Sequence, residues 1–248
     1  EERAAVSSEW DSTSKLLSKD EYKDLKFAVD SNSEANTVRE ASKLLGKNTE
    51  DLGALMALAT IHHAKNEPGL SEIILTRALK SSPNEPAIFH NLGIIYLERG
   101  DLREALASFE KANELDSKHL PTVQSLASIY LKYFDYKRAY EILKPMKSKI
   151  YEGLSRSTTH QLEMANGLGV ASANVGENDE ALSNYDKVLK VDGQNTSVLL
   201  NKTILLAERI KSKDKATEVL NKLKFLADDR DMQQKVRYLE GQISQLKD

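Results

Sequence analysis

Leu58-Ala59, Leu92-Gly93 and Leu126-Ala127 follow one another at intervals of 34 residues, and Ala78 and Ala112 keep the same interval. Further on, Tyr130, Ala139 and Leu143 stand 34 residues beyond Tyr96, Ala105 and Phe109. A period of this length belongs to a supersecondary unit that cannot bury its apolar face alone and must stack on copies of itself. That requirement constrains the fold more than any bulk property does. With 248 residues the chain exceeds the usual single-domain size, which a stacked array tolerates because it grows by adding units.

Residues 86–119 show what one unit contains. Phe89, Leu92, Gly93 and Tyr96 fall on one stripe of a first helix, and Ala105, Phe109 and Ala112 on one stripe of a second. Gly100 suits the left-handed turn that ends the first helix. Asp101 followed by Glu104 has the pattern of a capping box for the second. Small residues at Gly93 and Ala105 let the two backbones approach, and Phe89, Tyr96 and Phe109 fill the space around them.

The unit resembles a tetratricopeptide repeat, whose period is about 34 residues. The resemblance implies an all-α, right-handed α-α superhelix, a solenoid of tetratricopeptide-type helix pairs with roughly a dozen helices. Residues 1–17, polar and Ser-rich around the single tryptophan Trp10, read as a flexible lead-in or as a tether anchored by Trp10. Residues 18–50 read as a degenerate helix pair that caps the array, opened by the capping-box pattern Ser18 to Glu21 and stopped at Gly46. The array itself covers residues 51–228, in units 51–85, 86–119, 120–153, 162–195 and 196–228, and residues 229–248 form a closing helix. Leu168-Gly169 lies 42 residues after Leu126, one period plus eight, which places an insertion at 147–161. Pro145 predicts a kink or an early stop just before it. The last unit keeps Asn201, Leu206, Ala216 and Leu220 in place only if it has gained one further residue.

Composition excludes several functions. A net charge of −3 argues against a dedicated nucleic-acid binder, which concentrates basic surface. There is no cysteine, hence no thiol chemistry and no Cys-based metal site. No apolar run approaches the roughly 20 residues of a membrane span. The chain begins with Glu1 instead of Met, which reads as a fragment or processed product, compatible with cytoplasm or periplasm. His62 and His63 are sequence neighbours and diverge on a helix, and His90, His119 and His160 have no acidic residue at ligand spacing, so no metal or cofactor is expected. No nucleophile–base pair and no phosphate loop is visible, so the chain reads as a non-enzyme.

In the tetratricopeptide family the first helix of each pair lines a concave groove, and the resemblance puts the candidate ligand contacts there. They are His90, Asn91, Ile94, Leu97, Gln124, Ser128, Leu131, Asn166 and Asn201, with His63 beside them. Asn91 and Asn201 precede the signature Leu position, where the family carries an amide that clamps a ligand's main chain. A carboxamide suits that task because it both donates and accepts. The places that hold Lys and Arg in chaperone-tail-binding members carry no basic residue here. Tyr151, Leu154 and Arg156 in the insertion are expected as an accessory edge contact. The function expected is a scaffold that binds a peptide or partner protein in the groove. Self-association is a further expectation, with the N-terminal segment or a second copy in the groove and Trp10 as anchor. The alternatives are a structural subunit of a larger assembly, such as a bacterial envelope complex, or a substrate-presenting domain of an enzyme whose catalytic part lies elsewhere.

Overall fold

A computed structural model describes residues 10–11, 15–154 and 159–247, and among these the chain is helical with no strand. The described residues form two compact units, one over residues 8–126 and one from residue 127 onward.

In the first unit, short 3-10 turns at Lys15–Ser18 and Asp20–Tyr22 lead into α1 (Lys23–Asp30) and α2 (Glu34–Lys47). Then come α3 (Leu52–Ala64), α4 (Pro68–Ser81), α5 (Pro86–Arg99) and α6 (Leu102–Leu115), and α7 (Leu120–Lys132) begins before the unit ends. Helix α3 packs against α4, and α5 against α6. Pro68 and Pro86 stand in the first turns of α4 and α5, where a missing N–H is no loss. Helix α5 is buried nearly all round, from Ala87 and Ile88 through Leu92 to Ile95, whereas α6 buries only Ala105, Phe109 and Ala112. The inner helix of the pair is therefore apolar on several faces and the outer one amphipathic. Leu55, Met56, Ala59, Leu75, Ala78, Ile88, Leu92 and Ile95 make one shared core, and Leu17, Tyr22, Leu25, Val29, Ala41, Ala54 and Ala57 make another.

The second unit contains α8 (Tyr136–Leu143), a 3-10 turn at Lys144–Met146, α9 (Lys147–Leu154), α10 (Thr159–Asn174), α11 (Asn178–Val191), α12 (Thr196–Ile204), α13 (Lys213–Leu226) and α14 (Arg230–Ser244). Pro145 ends α8 as expected, turning the chain through the 3-10 segment. The extra residue of the last unit has a physical location. Gly169 to Thr203 is one 34-residue period, but Ala181 to Ala216 is 35, and between those two points Leu205–Ile210 winds as a π-helix. A π-turn absorbs one surplus residue without breaking the helix. Lys211, at φ 60°, then closes it in the left-handed region. Val236, Leu239 and Ile243 of α14 seal the core formed by Leu199, Leu206, Leu220 and Leu223.

Three local expectations need correction. Gly46 lies inside α2, which runs on to Lys47. Asp101 adopts φ −82° and ψ 68° and its side chain caps nothing; the turn is closed by main-chain bonds around Gly100, at φ 88°, with the Asp101 N–H donating to the Tyr96 carbonyl (2.8 Å). Residues 18–21 form 3-10 turns in place of a capped α-helix. Side-chain caps occur instead at Asp51, Asp135, Asn195 and Asp229, each accepting from the N–H three residues on.

Candidate functional site

The site lies in the first unit, along α3, α5 and the start of α7. Asn91 is fully buried on α5, one residue before the Leu92-Gly93 pair, and a buried carboxamide needs partners for both ends. Its partner is the main chain of Asp11. The Asp11 N–H donates to Asn91 Oδ1 (3.0 Å), and Asn91 Nδ2 donates to the Asp11 carbonyl (3.3 Å). One side chain thus holds both polar groups of a single residue, a clamp that reads backbone and is indifferent to side chain.

The side chains on either side of that clamp are also engaged. The Trp10 indole stacks on the His63 imidazole, with ring centroids 4.0 Å apart and planes inclined by 14°. Trp10 Nε1 donates to Thr60 Oγ1 (2.9 Å), and the same hydroxyl donates to the Met56 carbonyl (2.9 Å). Asp11 Oδ2 lies 3.0 Å from His119 Nε2. Behind it, His119 Nδ1 lies 2.7 Å from Thr122 Oγ1, which lies 3.1 Å from His90 Nδ1. One donor order serves every atom of this chain with both imidazoles neutral. His90 Nδ1–H donates to Thr122, the Thr122 hydroxyl donates to His119 Nδ1, and His119 Nε2–H donates to the Asp11 carboxylate. His90 and Thr122 are fully buried, so the relay is built into the interior and presents only its His119 end to Asp11. Beside the Trp10–His63 stack a cleft of about 610 Å³ remains, lined by His63, Ala64, Asn66, Pro68, Ile95, Glu98 and Arg99.

The expected groove residues divide between the two units. His90, Asn91 and Ile94 are buried in the first unit, Gln124 is 7% exposed, and Leu97 is half-buried. Of these, His90 and Asn91 take part in holding the Trp10–Asp11 segment. In the second unit, Asn201 Nδ2 donates to Asn166 Oδ1 (3.1 Å), joining the two amides directly. Leu131 packs at Gly167, and Ser128 is half-buried. Sequence reasoning missed Thr60, Thr122, Asp11 and His119 as site residues. Thr60 alone among them carried a signal, lying one period before the groove candidate Ile94.

Of the three residues expected as an accessory edge contact, Tyr151 and Leu154 are described. Leu154 is 4% exposed and packs inward with the fully buried Ile150, because α9 turns its apolar face to the unit. Tyr151 is half-buried, with its hydroxyl bonded to Asn184 and the Lys187 ammonium 3.8 Å from its ring centroid. Burial raises its phenol pKa, with the Glu180 carboxylate adding to the effect. Arg156 lies outside the described residues. His62 is partly buried, with Nδ1 2.7 Å from Glu67 Oε2. Among the described residues no group of three His, Asp or Glu side chains is placed to hold a metal ion, and no helix is long and apolar enough to cross a membrane.

Comparison with known proteins agrees with this architecture. The tetratricopeptide-repeat family model matches residues 86–119. That match and the likeness of the helix pairs around it support a tetratricopeptide-repeat fold, all-α among the described residues. Protein NPGR2 of Arabidopsis thaliana is 32% identical over 82 residues, a match that spans 33% of this chain and 11% of that relative. Among solved structures, YrrB, described as a TPR protein with an unusual peptide-binding site, superposes with a TM-score of 0.68 at 21% identity, covering 81% of this chain and 97% of that one. MamA from Desulfovibrio magneticus RS-1 gives a TM-score of 0.57 at 17% identity, covering 73% of this chain and 97% of that one. Naa15, in its complex with Naa10 bound to HypK-THB, gives a TM-score of 0.59 at 18% identity, covering 91% of this chain and 34% of that chain.

Proposed function

We propose that the chain is a non-enzymatic scaffold that binds extended peptide segments along α3, α5 and α7, with Asn91 as the main-chain clamp. The observation that carries this reading is the pair of hydrogen bonds between the Asn91 carboxamide and the N–H and C=O of Asp11. A buried amide that bonds both groups of one residue contributes affinity for backbone in any sequence, while neighbouring pockets choose side chains. The fold is that of YrrB, whose structure is described as containing a peptide-binding site, and of proteins solved in multi-chain complexes. Its helices α5 and α6 hold the clamp on a rigid pair, which lowers the entropy lost on binding.

The test uses a displayed peptide library panned against the full chain carrying Trp10→Ala and Asp11→Ala, which removes the side-chain anchors that hold the segment's main chain in the clamp. Enriched peptides should lose about tenfold or more in affinity when Asn91→Ala is added, the scale of an unpaired buried ligand group. Enriched peptides that bind both chains equally would refute the clamp.

A further inference from the structure

Trp10 and Asp11 do more at the groove than present a main chain. Resting on the peptide-binding reading above, we infer that they are an intrachain ligand, and that the groove selects extended peptides carrying an aromatic residue followed directly by an acidic one. A partner of that sequence would have to displace the chain's own pair.

Three observations point to a built pocket and not to a tail laid on a surface. The indole is held on its face by His63 and at its only polar atom by Thr60, so both the apolar body and the N–H of Trp10 are met. That combination fits tryptophan better than any other side chain, because no other residue has a ring of that area with a single donor. The carboxylate of Asp11 meets His119, whose orientation is fixed from behind by the buried Thr122 and His90. An acceptor is favoured there because, with Nδ1 accepting from Thr122, the neutral His119 ring turns its Nε2–H toward the segment, and a carboxylate also accepts from the doubly protonated ring. The clamp at Asn91 then fixes register, so that the aromatic and acidic side chains reach their partners together. Only a few residues separate the pair from Leu16 and Leu17, which are packed into the first unit's cores, so the segment is presented at high effective concentration. An outside peptide therefore meets a groove that is mostly filled, and its apparent affinity is lowered by the fraction of chains in which the pair has left.

The experiment uses a fluorescein-labelled peptide with the sequence of residues 5–16, titrated with the full chain and with the full chain carrying Trp10→Ala and Asp11→Ala. The doubly substituted chain should bind the probe at least about tenfold more tightly than the unsubstituted chain. Replacing the probe's tryptophan by alanine, or its aspartate by lysine, should each weaken binding about tenfold. Trp10→Ala and Asp11→Lys made singly in the full chain should each raise probe binding, so that poor folding of one variant leaves the other to decide. Equal binding of the probe to substituted and unsubstituted chains would overturn the intrachain-ligand assignment. Equal binding of the altered probes would overturn the aromatic–acidic selection. Library peptides that bind through Asn91 while this probe does not would refute the inference and leave the peptide-binding function standing; failure of both would remove both.

Discussion

A Cβ placed on Gly93 would lie 2.7 Å from the ring of Phe109, so the approach of α5 to α6 depends on the absence of one methyl group. The same relation recurs between Gly169 and Tyr185, again sixteen residues apart, where the Cβ would come to 2.4 Å. Phe109 is fully buried, so its ring would have to shift within the core to admit that methyl group. Gly93→Ala gains about 1 kcal/mol of helix propensity but incurs an overpacking cost of about 1–3 kcal/mol. The net expectation is destabilisation in chemical denaturation, partly relieved in the double variant Gly93→Ala with Phe109→Leu. A more stable Gly93→Ala chain would show that the pair can separate freely.

Removing the face on which Trp10 rests should be visible in its own fluorescence, since it is the chain's single tryptophan. His63→Ala should shift the emission to longer wavelength and increase quenching by iodide, with a loss of about 0.5–1.5 kcal/mol in the attachment of the segment. Unchanged emission would place the indole elsewhere in solution.

Alkali should destabilise the chain through its buried tyrosines. Burial and the Asp51 carboxylate push the Tyr22 phenol up to about 12 from an ordinary value of 10.0, and burial raises Tyr151 and Tyr185 as well. A folded-state pKa above the unfolded one means that the folded chain holds the proton more tightly. The contribution is complete below about pH 10 and is lost as pH rises toward 12 and beyond. Denaturation midpoints should therefore fall above pH 10, and Tyr22→Phe should reduce the slope of that fall. Identical slopes would show that Tyr22 titrates like a free phenol.

In the second unit the fully buried Asn184 bonds the Tyr151 hydroxyl and donates to Ser172 Oγ (3.4 Å), which itself donates to the Leu168 carbonyl (2.7 Å). Asn184→Ala should cost about 1–3 kcal/mol, the penalty of leaving a buried hydroxyl without its acceptor. Adding Tyr151→Phe should return part of that cost, because the stranded hydroxyl is then gone. Additive losses in a double-mutant cycle would contradict the coupling.

The helix pairs were legible because Leu92, Gly93, Tyr96, Ala105 and Phe109 repeat at one interval, and interval is a property of sequence. The same interval placed Asn91 beside the Leu-Gly pair, and its expected role as a clamp came from the family resemblance. Its occupant stood only as one alternative, the N-terminal segment anchored by Trp10, because the contact from Asp11 to Asn91 spans 80 residues and no local pattern announces it. The surplus residue before Ala216 could be counted in the sequence, whereas its resolution as a π-helix over Leu205–Ile210 depends on packing that keeps Leu206 and Leu220 in the core. Asp101 misled because a capping-box pattern competes with the turn set by Gly100, and the main-chain bonds of that turn prevailed.

The clamp itself is tested most directly by hydrogen exchange at the Asp11 amide, read residue by residue in the full chain. With its N–H donated to Asn91 Oδ1, Asp11 should exchange at least about tenfold more slowly than an open amide of the same sequence, and Asn91→Ala should remove that protection while the amides of α6 stay protected. Exchange of Asp11 at the open-chain rate in the unsubstituted protein, or protection that survives Asn91→Ala, would contradict the account.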